Sequence, residues 1–375
     1  MSPRPRRIAY IRLRAVLPAN RRAGEILQDV FPEYDVEVVD MWSLFNQSHL
    51  RSLRNAADVL ATYGLDLARR RRPLAQCLLK TPYAFAAMRA LVRQRLPASD
   101  YAFTFQMQSH FDWSLEGVPN FVYTDHTHLA NLYYPDFARG TLLPVFWLEL
   151  ERSIYRNAAK VFTWSTHISR SLKEQYALPV EKIACVYFGT NAKIEDDPGT
   201  CPDYGGKNVL FLGINWKRKG GPDLIEAWSR VVKEHPDATL TIVGAAPEGI
   251  DVPNCRVVGR VPLEQVNVYY QAASVYCLPT TVEPFGIAFI EALANKLPIV
   301  ATNVGAIPDF VVDGHNGYLV HPHDIEGLAQ RLSHILSDQR RRRVFGARSH
   351  VLARQRYSWQ AVGRRLREHI LPFVS

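Results

Sequence analysis

The sequence predicts an α/β chain built as two doubly wound halves, each a mainly parallel sheet flanked by helices. Three observations carry this. Short apolar runs alternate with helix-length segments along most of the chain. The alternation is interrupted once, by a polar stretch rich in Gly, Pro and Asp between 189 and 206. Finally, 375 residues with 47% apolar content suffice for two or three domains around a large core.

In the first half, IAYIRL (8–13), VEVVD (36–40), YAFTFQ (101–106), FVYT (121–124), VFTWS (161–165) and IACVY (183–187) read as strands separated by helical segments. GTNAKIEDDPGTCPDYGG (189–206) reads as an interdomain linker. The second half restarts with NVLFLG (208–213), a helix over 221–234, TLTIVG (239–244), CRVVG (255–259), a helix over 263–273 and the buried strand VYCLP (275–279). The division is a first domain over 1–190, a linker over 191–206, a second domain over 207–355 and a last helix over 356–375. Doubly wound sheets take their ligands at the carboxyl ends of the strands.

The most informative stretch follows VYCLP. In TTVEPFGIAFIEAL (280–293), Glu283 and Glu291 stand eight positions apart around a Pro-Phe-Gly turn. Pro284 fits the first helical position, where a missing N–H costs nothing. The N–H groups of Phe285, Gly286 and Ile287 would then lack intrahelical partners and sit at the positive end of the dipole, suited to a phosphate or sugar hydroxyl. The two glutamates would lie about 10 Å apart along the axis, the span of a nucleotide sugar. Glu283 alone reads equally well as an ordinary helix-start charge. Glu291 is harder to dismiss, because IAFIEALA is otherwise apolar and a buried carboxylate is costly without a partner or ligand.

EPFGIAFIEA resembles the signature of the retaining GT-B glycosyltransferases of glycosyltransferase family 4, a glutamate, seven residues and a second glutamate, with Pro-Phe-Gly after the first. LPIVATNVGAIPDFVVDGHNGYLVHPHDIEGLAQRL (297–332) is similar to that family's strand, Gly-rich loop, acidic-Gly turn, strand and helix in order. The resemblance is strong over about 205–340 and weaker, though continuous, over the N-terminal half. It implies two Rossmann-like domains facing a cleft, the first on the acceptor side and the second binding the nucleotide sugar, with SWQAVGRRLREHILPF as a last helix crossing back. The implied reaction moves a sugar, with retention, from a UDP- or GDP-type donor to a hydroxyl of a glycan, lipid-linked sugar or small molecule. In the family's front-face chemistry the leaving phosphate oxygen helps deprotonate the acceptor. Glu283 would hold donor-sugar hydroxyls and support positive charge at the anomeric carbon. Glu291 would bind the ribose, and backbone near Arg260 and Val261 the base.

No cofactor is expected, and no metal, since the chain has no Asp-x-Asp motif. The leaving diphosphate then needs cationic side chains. LGINWKRKGG (212–221) offers Lys219-Gly220, a match to the family's Lys-Gly, but Ile214 stands where an arginine commonly follows the first glycine. Arg218 is the candidate replacement; Lys217 reads as part of a solvated turn. In FVYTDHTHLANL (121–132) the Thr-x-His resembles the family's histidine loop, which makes His126 the match and leaves His128 unassigned. A lone histidine is more often structural, so the resemblance carries that assignment. The family's paired glycines after the first strand are missing from RLRAVLPANRRAGEIL (12–27), which has only Gly24. There Arg21 or Arg22 either contacts phosphate or acceptor or belongs to a basic surface.

Cysteines at 77, 185, 201, 255 and 277 form no CxxC pair and read as buried thiols of a reducing compartment. No apolar run reaches about 18 residues, and MSPRPRRIAYIRLRA lacks a signal-peptide core, so a cytoplasmic protein is expected. Residues 1–100 hold most of the formal +9, with RRRR at 69–72 and the basic apolar stretch CLLKTPYAFAAMRALVRQRLP (77–97). That suits an anionic membrane surface, at its inner face, or equally a solvated arginine-rich surface. No nucleic-acid motif accompanies the charge, so no nucleic-acid partner is expected. The alternatives within the fold are a nucleotide-sugar epimerase, which needs no acceptor, and a noncatalytic homologue. Retention of both glutamates, Lys219 and His126 argues against decay.

Overall fold

The computed structural model describes residues 7–14, 18–190, 192, 194, 202 and 204–374, the side chains of 18 and 19 excepted. The first domain's strands are β1 (Arg7–Arg12), β2 (Asp35–Asp40), β3 (Tyr101–Met107), β4 (Asn120–Thr124), β5 (Lys160–Thr163) and β6 (Ile183–Cys185). They form one sheet in the order β2-β1-β3-β4-β5-β6. The second domain contributes β7 (Asn208–Gly213), β8 (Thr239–Gly244), β9 (Cys255–Gly259), β10 (Val275–Leu278), β11 (Ile299–Thr302) and β12 (Gly317–Val320), in the order β12-β11-β10-β7-β8-β9. Every named pairing is parallel. Helices therefore cover both faces, which is why the central strands β3, β4, β10 and β11 are buried along their whole length rather than on alternate residues.

Strand order reverses between β1 and β3 in the first sheet and between β7 and β10 in the second. At such a reversal the flanking connections leave in opposite directions and open a crevice at the carboxyl ends of the strands. The segments emerging there are 108–113 after β3, 214–220 after β7 and 279–286 after β10.

Several expected boundaries move. Strand β5 ends at Thr163 because the Ser165 side chain accepts from Ile168 N–H and caps helix Thr166–Glu174. Strand β6 ends at Cys185, and Tyr187 turns with φ +62°. The helix expected over 263–273 splits into a short 3₁₀ turn, Leu263–Gln265, and helix Val266–Ala272. Most of the linker, and Cys201, lie outside the described residues. Its end at Tyr204 is buried, with the hydroxyl donating to the Lys296 carbonyl and the buried Arg342 guanidinium donating to the Tyr204 carbonyl at 2.7 Å. Among the described residues Cys77, Cys185, Cys255 and Cys277 are free thiols.

The last helix, Trp359–Val374, lies on the first domain against helix Pro18–Val30. Arg367 donates to the Val30 carbonyl and pairs with Glu33 at 2.8 Å, while Phe373 packs edge-on against Phe121 of β4 at 5.5 Å. Gly363 makes the close approach possible, since a Cβ there would stand 2.7 Å from Val30 Cγ1 and 2.8 Å from Ile26 Cγ1. Gly363→Val should accordingly cost about 1–3 kcal/mol through overpacking. Urea unfolding should show the loss; an unchanged midpoint would mean that this helix is not seated on the first domain.

Candidate functional site

The site grows from two loops at the β7/β10 reversal. After β7 the chain passes through 214–220 into helix Gly221–Glu234. Lys219 folds back over Gly213, where a Cβ would stand 2.9 Å from Lys219 Cγ. Gly220, at φ +73°, brings its backbone against the other loop: a Cβ there would lie 1.9 Å from the Pro279 carbonyl oxygen. The loops are also tied by hydrogen bonds. The Arg218 carbonyl accepts from Thr281 N–H and Thr280 Oγ1, each at 3.0 Å, and Arg218 Nη1 donates to the Val282 carbonyl at 2.7 Å. Lys219 Nζ donates to the Glu283 carboxylate across this junction, with the two side chains only 12% and 6% exposed. Burial lowers the Lys219 pKa, and the Glu283 charge opposes that shift.

The helix after the Pro-Phe-Gly turn begins at Ile287, not at Pro284. The reason is local: the Glu283 carbonyl, which would have accepted the first helical bond, instead accepts from Ala306 N–H at 3.1 Å. Gly286, at φ +94°, then starts the helix from a left-handed conformation. Gly305, at φ +55°, closes the cradle, since its Cβ would meet the Glu283 carbonyl oxygen at 2.0 Å. Phe285 is buried between the domains, edge-on to Trp164 at 5.1 Å and to Phe188 at 5.6 Å. Its side chain buttresses the turn, a role the sequence did not disclose. Glu291, half-buried, accepts from Tyr270 Oη at 3.1 Å, and burial raises its carboxyl pKa.

The structure thus brings Lys219, Arg218, Glu283, Phe285 and Gly286 together, with Ile287 opening the helix that carries Glu291. From the first domain Tyr134 reaches the same place. Its buried hydroxyl has no hydrogen-bond partner among the described residues and lies 3.0 Å from where a Gly305 Cβ would be. The phenol pKa is raised by burial first and then by the Glu283 charge. Nothing in the sequence marked Tyr134; only the fold sets it opposite Gly305.

His126 sits at the carboxyl edge of the first sheet, half-buried, with Nε2 3.3 Å from Asn131 Nδ2. Burial pushes its pKa down to about 3, so the ring is neutral near pH 7. No hydrogen bond or ion pair among the described residues joins it to the Lys219–Glu283 pair. His128 is structural, its Nε2 accepting from Leu143 N–H at 2.8 Å. Arg21 and Arg22 lie on helix Pro18–Val30 and both pair with Glu25, at 3.0 and 2.8 Å, as a surface group. Arg260 is exposed and Val261 half-buried just beyond β9, the edge strand of the second sheet. Ile214 is 68% exposed.

Two further contacts hold the domains around this site. Asp309, buried, accepts from Thr166 N–H and Thr166 Oγ1, both at 2.7 Å, at the start of helix Thr166–Glu174. His323 bridges Asp136 of the first domain at 3.1 Å through Nε2 and Asp223 of the second at 3.0 Å through Nδ1. Only the imidazolium can donate to both carboxylates.

Residues 206–338 match the family model described as Glycosyl transferases group 1. Glycogen synthase from Mycobacterium tuberculosis is 28% identical over 231 residues, 57% of this chain and 54% of that protein. D-inositol 3-phosphate glycosyltransferase from Corynebacterium aurimucosum is 32% identical over 176 residues, 43% of this chain and 42% of that protein. The matched stretch spans about half the length of these curated relatives. The crystal structure of Anabaena HepE in complex with UDP superposes with a TM-score of 0.65 at 16% identity, over 98% of this chain and 100% of that one. That likeness shows the fold, and the two facing parallel sheets are the GT-B architecture.

The His323 bridge has a pH signature. Asp136 first and Asp223 second raise its pKa against the lowering effect of burial. A raised folded-state pKa means that the stabilisation is fully present below the unfolded value near 6.5 and is lost as pH rises through the folded value. Interdomain closure, read as radius of gyration by X-ray scattering, should therefore loosen on going from about pH 6 to pH 8.5, and His323→Ala should remove that dependence. An identical profile in the variant would exclude His323 as its source.

Proposed function

We propose that this chain is a glycosyltransferase, moving a sugar from a nucleotide-diphosphate donor to an acceptor hydroxyl with retention of anomeric configuration and without a metal ion. The observation that carries this reading is the buried Lys219–Glu283 pair at the second domain's strand-order reversal. The match of 206–338 to glycosyltransferases supports it, and the UDP bound to HepE favours a UDP-type donor.

In this reading Lys219 is a stored cation. An arriving diphosphate competes with Glu283 for the ammonium, and the lysine then neutralises the charge that develops on the leaving phosphate. Arg218, anchored on the Val282 carbonyl, adds a second cation in place of the arginine that Ile214 displaces. The first-turn amides at Gly286 and Ile287 face the same anion. Glu283, released from the lysine, takes donor-sugar hydroxyls and opposes positive charge at the anomeric carbon. The leaving phosphate oxygen accepts the acceptor's proton. Glu291, held by Tyr270, takes the ribose, and the neutral His126 offers a hydrogen bond to the sugar from across the cleft. A group held ready in a water-poor pocket needs no solvent reorganisation at the moment of reaction, which is where such sites gain their rate.

The first domain is given an anionic membrane surface, the inner face of the cytoplasmic membrane, as its partner. The apolar residues of 77–97 do not form that surface, because Ala84, Phe85, Met88 and Val92 face the core. Nor does Arg72, which pairs with Asp66 and donates to the Thr141 and Leu142 carbonyls. The docking face is on helix His49–Ala68. Asn55, Val59 and Tyr63 bury one side of it, while Leu50, Leu53, Leu60 and Leu65 point outward at 65–68% exposure, with exposed Arg69, Arg70 and Arg71 at its end. No described helix is long and apolar enough to cross a membrane. An apolar stripe beside arginines instead lies in the headgroup plane.

Two outcomes test these assignments. Titration calorimetry with UDP should show Glu291→Gln weakening binding about tenfold, close to 1.4 kcal/mol. Glu283→Gln, which removes the carboxylate that competes with the diphosphate for Lys219, should bind UDP more tightly than the wild type does and lose turnover by about 10²-fold or more. Unchanged UDP affinity in Glu291→Gln would remove the ribose assignment. For the membrane, sedimentation with anionic vesicles should fall with added salt and fall further when Leu53 and Leu60 become Ser, with Arg72 left intact. Equal recovery with neutral vesicles would return this face to the solvated surface.

A further inference from the structure

Lys80 is a partly buried lysine with no acidic partner among the described residues. Its backbone is fixed: the Tyr63 hydroxyl donates to the Lys80 carbonyl at 2.6 Å, and Lys80 N–H donates to the Cys77 carbonyl at 3.0 Å. The adjoining Thr81, fully buried, hydrogen-bonds Asn55 at 2.9 Å and caps helix Pro82–Arg95. The ammonium is left over the face of Trp147, 5.0 Å from the ring centroid. It makes no hydrogen bond or ion pair with any described residue.

Its surroundings are short of anions. Lys80 acts with burial to keep His110, His126 and His128 neutral, at about 4, 3 and 4 respectively. The acid that most raises the Lys80 pKa is Glu151, but burial outweighs it and the net shift is downward. Glu151 is already occupied, accepting from His128 N–H at 2.9 Å, Tyr155 Oη at 3.2 Å and Tyr176 Oη. A lysine so placed gives up hydration without gaining a counter-charge, and its native partner is expected to be a ligand.

The topology says which ligand. His110 follows β3 at the first sheet's strand-order reversal, and His126 follows β4. Lys80 immediately precedes the helix that leads back into β3, and Trp147 is in the first turn of helix Val145–Asn157, which leads into β5. In a parallel sheet such helices start at the carboxyl edge, so all four residues share the edge that takes ligands. In the proposed transferase this is the acceptor's side.

We propose that Lys80 is the anion-binding residue of an acceptor subsite and takes an oxyanion, phosphate or carboxylate, carried by the acceptor. His110, its Nε2–H spent on Gln108 Oε1 at 2.8 Å, and His126 share this edge as neutral rings, so the positive charge offered to the anion is that of Lys80. The inference rests on the transferase reading for the word acceptor. The anion site itself does not.

The test is reductive methylation of the full chain, with labelling of each lysine read by mass spectrometry. Inorganic phosphate, sodium acetate and glycerol are added in separate arms, and UDP in a fourth. At about 20 mM, where a millimolar site is nearly full, phosphate or acetate should protect Lys80 about tenfold. Exposed Lys173 and Lys233 should label as before, and glycerol should do nothing. Protection by phosphate alone assigns a phosphorylated acceptor, and protection by acetate an acidic one. UDP should protect Lys219 and leave Lys80 reactive. Failure of UDP to protect Lys219 would count against the donor reading while leaving the Lys80 arms to be judged separately. Equal Lys80 labelling with and without both anions would overturn the inference.

Discussion

A lysine and a glutamate sharing a nearly dry pocket set the terms for the second domain. Taking two charges out of water costs several kcal/mol per ion, and their attraction recovers this only with good geometry and satisfied neighbours. The chain supplies both by pressing its two loops together backbone to backbone. Gly213 leaves room for the Lys219 stem, Gly220 for the Pro279 carbonyl and Gly305 for the Glu283 carbonyl. A side chain at any of these positions would push apart the loops that hold the pair. The same hydrogen bond from Ala306 that fixes Glu283 also delays the helix start to Ile287. Removing one partner leaves the other as an uncompensated buried charge, so a ligand able to replace one of them gains from a cost already met in folding.

The pair is not a property of the second domain alone. Phe285 is wedged beneath Trp164 and Phe188, and Trp164 and Phe188 themselves stack at 3.8 Å. Asp309 fastens the next loop to the first domain's Thr166, and Tyr134 brings a hydroxyl, unpartnered among the described residues, to within reach of the Glu283 turn. Relative motion of the domains would therefore change the packing around Glu283 directly. The geometry of the Lys219–Glu283 site and domain closure are mechanically linked here through aromatic contacts rather than through a long chain of intermediaries.

Much of this was legible in the sequence, for identifiable reasons. The strands could be read because a buried parallel strand is a short continuous apolar run, and helix 221–234 and strands 239–244 and 255–259 fall where expected. Glu283, Glu291 and Lys219 stood out because a motif fixes their spacing, and Arg218 because it adjoins Lys219; the structure brings Arg218, Lys219 and Glu283 together, with Glu291 on the helix that follows. What escaped depends on distance in the chain. The ion pair joins residues 64 positions apart, and the Tyr134 hydroxyl meets Gly305 only after both domains have folded. Arg72 looked like one of four equal arginines, but two backbone carbonyls near 141 single it out. The apolar stripe on helix His49–Ala68 was hidden because its leucines look like core residues until the opposite face is seen to be buried.

As a stored cation, Lys219 must change partner when a diphosphate arrives. A crystal structure of the chain with a bound nucleoside diphosphate tests that most directly. The expected result is Lys219 Nζ about 2.8 Å from a phosphate oxygen and no longer on Glu283, whose carboxylate then faces the vacated sugar position. A diphosphate bound elsewhere, with Lys219 still held by Glu283, would make the pair a structural clasp and contradict the account.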